Sequence, residues 1–185
     1  MTPQYFFFDT YIGYFLQVLP IVLLAGLLYG LRRFARDKTS PVSRKLCASL
    51  LVCYLTGLLC LTLFHKLISD GWYFLLYRQP SGSIHRWFGG TFDLVPTFFS
   101  RFSRENLGNL LMYLPFGVLY PLSRDRADWR DTLWAGLLLV FAVELLQPVF
   151  GRSFDANDII LNFAGVAVST ALFFLIRRCI TARST

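Results

Sequence analysis

The sequence predicts an all-α integral membrane protein: a bundle of about five transmembrane helices with an aromatic interfacial loop between the second and third. Three observations predict it. Hydrophobic residues make up 55% of the 185 and charged residues only 16%, where soluble domains carry about a quarter charged residues. Mean hydropathy is +0.52. The apolar residues are also bunched into runs instead of recurring on one helical face, and a run of about 20 such residues is what a helix needs to cross about 30 Å of hydrocarbon. A water-soluble fold does not accommodate that pattern.

The first expected span runs from about Tyr11 to Leu31, and the second from about Leu46 to Ile68. The first lacks a basic leader and a small-residue cleavage site, so it reads as a retained helix, not a cleaved signal. The third, from about Asn106 to Leu122, is short and contains Pro115; a kink or partial unwinding is expected there. The fourth runs from about Thr132 to Phe150 and the fifth from about Asp158 to Ile176. Residues 1–45 thus form a first helix with a basic loop, 46–178 a membrane domain, and 179–185 a short tail. The longest connection, Ser69 to Glu105, holds ten aromatic residues, among them Trp72, Tyr73, Trp87 and Phe88. Such rings favour the headgroup zone, so this connection is expected on the membrane surface.

Basic residues set the expected orientation. Twelve of the 18 Lys and Arg residues fall in the first-to-second loop, the third-to-fourth loop and the tail, and six fall on the other side. The positive-inside rule places the richer side in the cytoplasm. The reading is therefore a multi-pass protein of the cytoplasmic (inner) membrane, N-terminus outside and C-terminus cytoplasmic. The net charge of +7 sits at the ends of apolar runs, so no nucleic-acid partner is expected. Cys47, Cys53 and Cys60 share one run and Cys179 stands apart; without CxxC pairing, they read as small hydrophobes.

Against this background the stretch FAVELLQPVFGRSFDANDIILNFAG, residues 141–165, stands out. Glu144 and Gln147 are three apart and share a helix face. Asp158 and Asn162 are four apart at the start of the fifth span, and Asp155 precedes them. Asn109 lies about one turn below the outer end of the third span. Three spans therefore bring carboxylate or amide groups to one shallow outer layer. Such groups within a bilayer are expensive and normally face inward, find partners and mark function. Simpler roles compete: Asp155 and Asp158 suit a capping box at a helix start, and Asn109, Gln147 and Asn162 suit interhelical hydrogen bonding. Glu144 demands a partner inside the helix, and Arg152 is the nearest cation in sequence.

These residues resemble the signature of the VanZ-like membrane protein family: E144-x-x-Q147, Arg152, then Asp155-x-x-Asp158-x-x-x-Asn162-x-x-Gly165. The segment ENLGNLLMYLPFGVLYPL, residues 105–122, is similar to the family's N-x-x-x-(F/Y)-x-P-x-G block through Asn109, Tyr113, Pro115 and Gly117. FDLVPTFF, residues 92–99, resembles its NL-x-PF motif, with Asp93 and Thr97 as departures. The likeness covers about residues 46–178. It implies an integral membrane protein whose family namesake is associated with low-level resistance to the glycopeptide teicoplanin, which acts outside the cytoplasmic membrane.

The expected function is an extracytoplasmic polar pocket that binds or handles a membrane lipid or lipid-linked cell-wall precursor and affects glycopeptide susceptibility. Asn109, Glu144, Gln147, Arg152, Asp155, Asp158 and Asn162 would line the pocket for the polar head, and Arg101, Arg104 and Arg152, with Arg86, would contact phosphate, for which guanidinium is suited. The alternative is an intramembrane enzyme acting on a lipid headgroup. There Glu144, Asp155 and Asp158, with His65 or His85, would supply acid–base groups or hard ligands for a divalent cation. No HExxH, GxSxG or P-loop pattern is present, and neither a cofactor nor a resident metal is expected. A third reading is a structural or transport protein whose polar layer only locks helices together. Small residues in the fifth span (Gly165, Ala167, Ser169, Ala171) suit close helix packing within or between chains.

Overall fold

A computed structural model of the chain describes residues 3–82, 87–96 and 104–183. A short helix α1 (Pro3–Phe8) turns back into α2 (Tyr11–Arg36). The turn is set by Thr10, whose hydroxyl caps α2 by accepting from the Gly13 amide at 3.0 Å. After α2, the Asp37 carboxylate accepts from the Thr39 and Ser40 amides and pairs with Arg33 at 3.1 Å. These bonds hold the basic connection to α3 (Val42–Leu59).

The second span is longer than the sequence reading. From α3 the chain passes through a π-helical turn, Cys60–Phe64, straight into α4 (His65–Tyr77). Residues 69–77 are thus helix and not loop, and Trp72, Tyr73, Phe74 and Tyr77 are carried on α4. The run Val42–Tyr77 has 36 residues, about 54 Å at 1.5 Å per residue. Even tilted by about 40° it outruns about 30 Å of hydrocarbon, so α4 reaches the headgroup zone. There it packs on α1: the Phe7 and Trp72 rings lie 5.9 Å apart and Phe8 and Tyr73 5.5 Å apart, while Trp72 Nε1 donates to the Gln17 carbonyl. The rings expected on a surface loop are thus carried on a helix, whose backbone bonds are satisfied internally.

The remaining helices are α5 (Arg104–Leu122), α6 (Trp129–Leu146), which continues as a 3-10 turn Gln147–Phe150, and α7 (Ala156–Arg183). α5 runs as one α-helix through Pro115 without unwinding, because a proline removes one backbone bond and the neighbouring helices hold the flanking turns. Among the described residues, four helices can cross a membrane by length and composition: Tyr11–Arg36, Val42–Tyr77, Trp129–Phe150 and Ala156–Ala182. The fifth element, α5, sits among them, packed chiefly on α7 and also on α3 and α6.

The core joins α3, α5, α6 and α7 through Leu58, Tyr113, Phe116, Val140 and Val166. Two glycines allow α5 and α7 to approach. A Cβ on Gly165 would overlap the Leu110 carbonyl oxygen, and one on Gly117 would overlap Ser169 and the Thr170 amide. Small residues at helix contacts are how membrane helices gain packing energy without a hydrophobic drive. Of the small residues expected to serve this, Gly165 and Ser169 are buried and Ala171 is exposed.

Two end groupings follow. Arg44 of α3 bonds Asp125 in the α5–α6 connection, so these basic segments share one end of the bundle. At the other end β1 (Phe92–Asp93) pairs in parallel with β2 (Phe154–Asp155), Phe92 opposite Phe154 and Asp93 opposite Asp155.

Candidate functional site

The polar residues singled out in the sequence form two adjoining groups and a basic rim. The first group is centred on Glu144, which is fully buried on α6. Its Oε1 accepts from Gln147 Nε2 at 2.9 Å, one turn on, and from Asn162 Nδ2 of α7 at 3.4 Å. Gln147 can reach back because the helix tightens to a 3-10 turn at that residue. Glu144 Oε2 and Asn162 Oδ1 have no hydrogen-bond partner, and neither has the Tyr113 hydroxyl on α5, which lies within electrostatic range of Glu144. Three unmatched polar atoms from three helices are unusual, since buried polar groups are nearly always paired.

The second group joins α5 to the start of α7. Asn109 Nδ2 donates to Asp158 Oδ1. Asp155 Oδ1 accepts from the Asn157 amide and from Asn157 Nδ2, both at 2.8 Å. That is a helix cap in the expected place. Asp158 lies in the first turn of α7, where a carboxylate also suits the helix dipole.

Arg152 departs from its expected role. It is not bonded to Glu144; its Nη1 donates to the Thr62 main-chain carbonyl at 2.8 Å. Thr62 lies in the π-helical turn, and π turns leave main-chain groups poorly matched within the helix. Arg152 thereby ties the α6–α7 connection to the second span. Around it lies a small cavity of about 20 Å³, lined by His65, Lys66, Arg152, Trp87 and Phe150 among others. That volume suits about one water molecule. Three basic side chains face it.

The aromatic connection folds over this rim. The Phe88 amide donates to the Val149 carbonyl and the Phe154 amide to the Thr91 carbonyl, and the Thr91 and Ser153 hydroxyls bond at 2.8 Å. The Trp87 ring lies tilted against Phe150, 5.5 Å between centroids, and Phe150 also meets Phe64 edge-on. Gly90 is required: a Cβ there would overlap the Arg152 carbonyl oxygen and crowd the Pro148 backbone. Of the expected phosphate contacts, Arg101 and Arg86 lie outside the described residues, as does His85, and Arg104 opens α5.

The site is also less open than the expected pocket. Glu144, Gln147 and Asn162 are each at most 3% exposed, so the carboxyl–amide layer is sealed beneath the loop. Sequence reasoning missed Lys66 and Phe150 at the rim, where Trp87 comes from the aromatic connection already singled out, and it missed the unpaired hydroxyl of Tyr113. Tyr113 and Phe92 stand in motifs that signalled them; nothing in the sequence marks the π turn that brings Thr62 to Arg152.

A bundle of long apolar helices with this buried polar layer defines a multi-pass α-helical membrane protein. The VanZ/LLP1 family pattern matches residues 51–177, more than half of the chain, and the chain belongs to that family. No curated protein and no solved structure is significantly similar to it.

Proposed function

We propose that the protein binds or handles a lipid-linked envelope molecule, such as a polyprenyl-linked cell-wall precursor, at the end of the bundle that carries Glu144, and thereby affects glycopeptide susceptibility. The observation that carries the reading is the buried layer whose acceptors Glu144 Oε2 and Asn162 Oδ1 lack donors. A headgroup rich in hydroxyl and amide N–H donors would match such acceptors once the loop that seals the layer is lifted. Directly at the rim, Lys66 and Arg152 offer the cationic surroundings that a linking phosphate seeks, and Trp87 and Phe150 suit the interface where such a lipid enters. By the positive-inside rule this end faces away from the cytoplasm, the side on which glycopeptides act. Lys66 joins Arg152, Arg101 and Arg104 as a proposed phosphate contact.

The catalytic alternative has less support. Asp155 caps α7 and Asp158 accepts from Asn109, which occupies both as structural acceptors. The test is to purify the full chain in mild detergent and identify co-purifying lipids by mass spectrometry. Enrichment of polyprenyl-phosphate-linked species, lost in Lys66→Gln/Arg152→Gln, supports the reading. Bulk phospholipid alone, unchanged by the two substitutions, overturns it. A host expressing the wild type and not the double variant should also tolerate more teicoplanin.

A further inference from the structure

A second surface, at the opposite end of the bundle, is built differently. A groove of about 920 Å³ runs between α3, α5 and α7, within the range of about 300–1,000 Å³ common for ligand sites. One wall is Leu114, Pro115 and Val118 of α5, and the facing wall is Leu172, Phe173 and Ile176 of α7. On α7 the lining extends from Ser169 to Thr181, about 18 Å along the axis. That is close to half of about 30 Å of hydrocarbon, so the groove has the depth of one leaflet.

Its mouth is basic. Arg44, Arg124, Arg177 and Asp125 all border it. Arg44 is engaged with Asp125, which leaves Arg124 and Arg177 as the charge excess. Arg124 is already positioned: its guanidinium stacks over the Tyr120 ring at 4.7 Å, and Nη2 donates to the Tyr120 hydroxyl at 2.8 Å. Its other N–H donors point elsewhere, since one guanidinium carries five. Arg177 is exposed near the end of α7.

We propose that this groove is a binding site for an anionic glycerophospholipid, with the phosphate between Arg124 and Arg177 and an acyl chain laid between α5 and α7. Free phosphate has no use for the apolar walls, and a zwitterionic lipid has little use for two arginines. Basic pockets between membrane helices on the cytoplasmic side bind anionic headgroups by this combination. The site is at the far end of the bundle from Glu144 and stands independently of the function proposed above.

Native mass spectrometry of the purified full chain, titrated with phosphatidylglycerol, with phosphatidylcholine of the same acyl chains, and with inorganic phosphate, tests it. Phosphatidylglycerol should be retained in preference to the other two. Arg177→Gln should weaken it about fivefold, as expected for one basic contact near a charged headgroup, and adding Arg124→Gln should weaken it further. Leu172→Trp, which fills the groove on a lipid-exposed position, should also remove binding without altering helix content. Arg32→Gln, at the same end but outside the groove, should change nothing. Equal retention of phosphatidylcholine overturns the proposal, and so does an Arg32→Gln effect as large as that of Arg177→Gln. Unchanged binding in Leu172→Trp overturns it too. Arg177 is exposed, so its variant reads binding even where the double variant fails to fold.

Discussion

Replacing Glu144 tests the account of the buried layer. In Glu144→Leu two donors, Gln147 Nε2 and Asn162 Nδ2, lose the acceptor they share. Each stranded buried donor costs about 1–3 kcal/mol. The same change deletes Oε2, an acceptor that has no partner in the native protein, and so relieves a cost of similar size. The balance is the loss of about one group, a destabilisation of about 1–3 kcal/mol. Glu144→Gln differs: it keeps the acceptor at Oε1 and places an NH2 where Oε2 was, able to donate to Asn162 Oδ1, itself unpaired. Its stability should lie within about 1 kcal/mol of the wild type. Denaturant unfolding in a fixed detergent, followed by far-ultraviolet circular dichroism, measures both. A Leu variant as stable as the wild type would show that Glu144 contributes nothing through its bonds. A Gln variant as damaged as the Leu variant would show that the negative charge itself is held, by a cation or ligand that the hydrogen bonds do not reveal.

Glycine substitutions should separate tight from open helix surfaces. Gly165→Ala forces a Cβ into the Leu110 carbonyl oxygen and should destabilise by about 1–3 kcal/mol in the same unfolding assay. Gly71→Ala on α4 meets nothing within 4 Å and should stabilise by up to about 1 kcal/mol through helix propensity. Gly90→Ala should lift the aromatic loop from residues 148–152, read as faster proteolysis between residues 83 and 103 with helix content intact. Arg152→Lys should loosen the bond to the Thr62 carbonyl, and hydrogen exchange should report faster opening of Cys60–Phe64 than in the wild type.

Apolar runs made the helical membrane fold legible because spanning a bilayer requires them, and the start of α7 was legible because Asp155 is a local cap acting two residues away. Helix periodicity likewise put Glu144 and Gln147 together. What stayed hidden depends on contacts distant in the chain. Arg152 sits eight residues after Glu144, so sequence proximity suggested a pair, yet its partner is a carbonyl on the second span. That carbonyl is offered by a π turn, which no residue in CLTLF announces. The continuation of the second span to Tyr77 was missed for a related reason: Gly71 and the dense rings read as interfacial loop, whereas Trp72 and Tyr73 pack on α1 from a helix. The register of Phe92–Asp93 against Phe154–Asp155 joins two motifs that the sequence showed separately.

The segment 147–155 is where these contacts are linked. Gln147 belongs to the buried layer, and the Arg152 amide bonds the Gln147 carbonyl at 3.0 Å around Gly151, which takes φ 74°. Arg152 then anchors to the second span, Ser153 and Phe154 hold the aromatic loop, and Asp155 caps α7. Nine residues therefore connect the basic rim, the loop and the carboxyl–amide layer. A group that draws Arg152 away from Thr62 necessarily acts on a turn whose first residue bonds Glu144. If a phosphate at the rim releases that anchor, Gln147 and Glu144 should respond with it. In hydrogen-exchange experiments, adding a polyprenyl phosphate should then raise exchange in Cys60–Phe64 and change it in residues 144–151 together. A response confined to one of these two segments would show that rim and layer are independent.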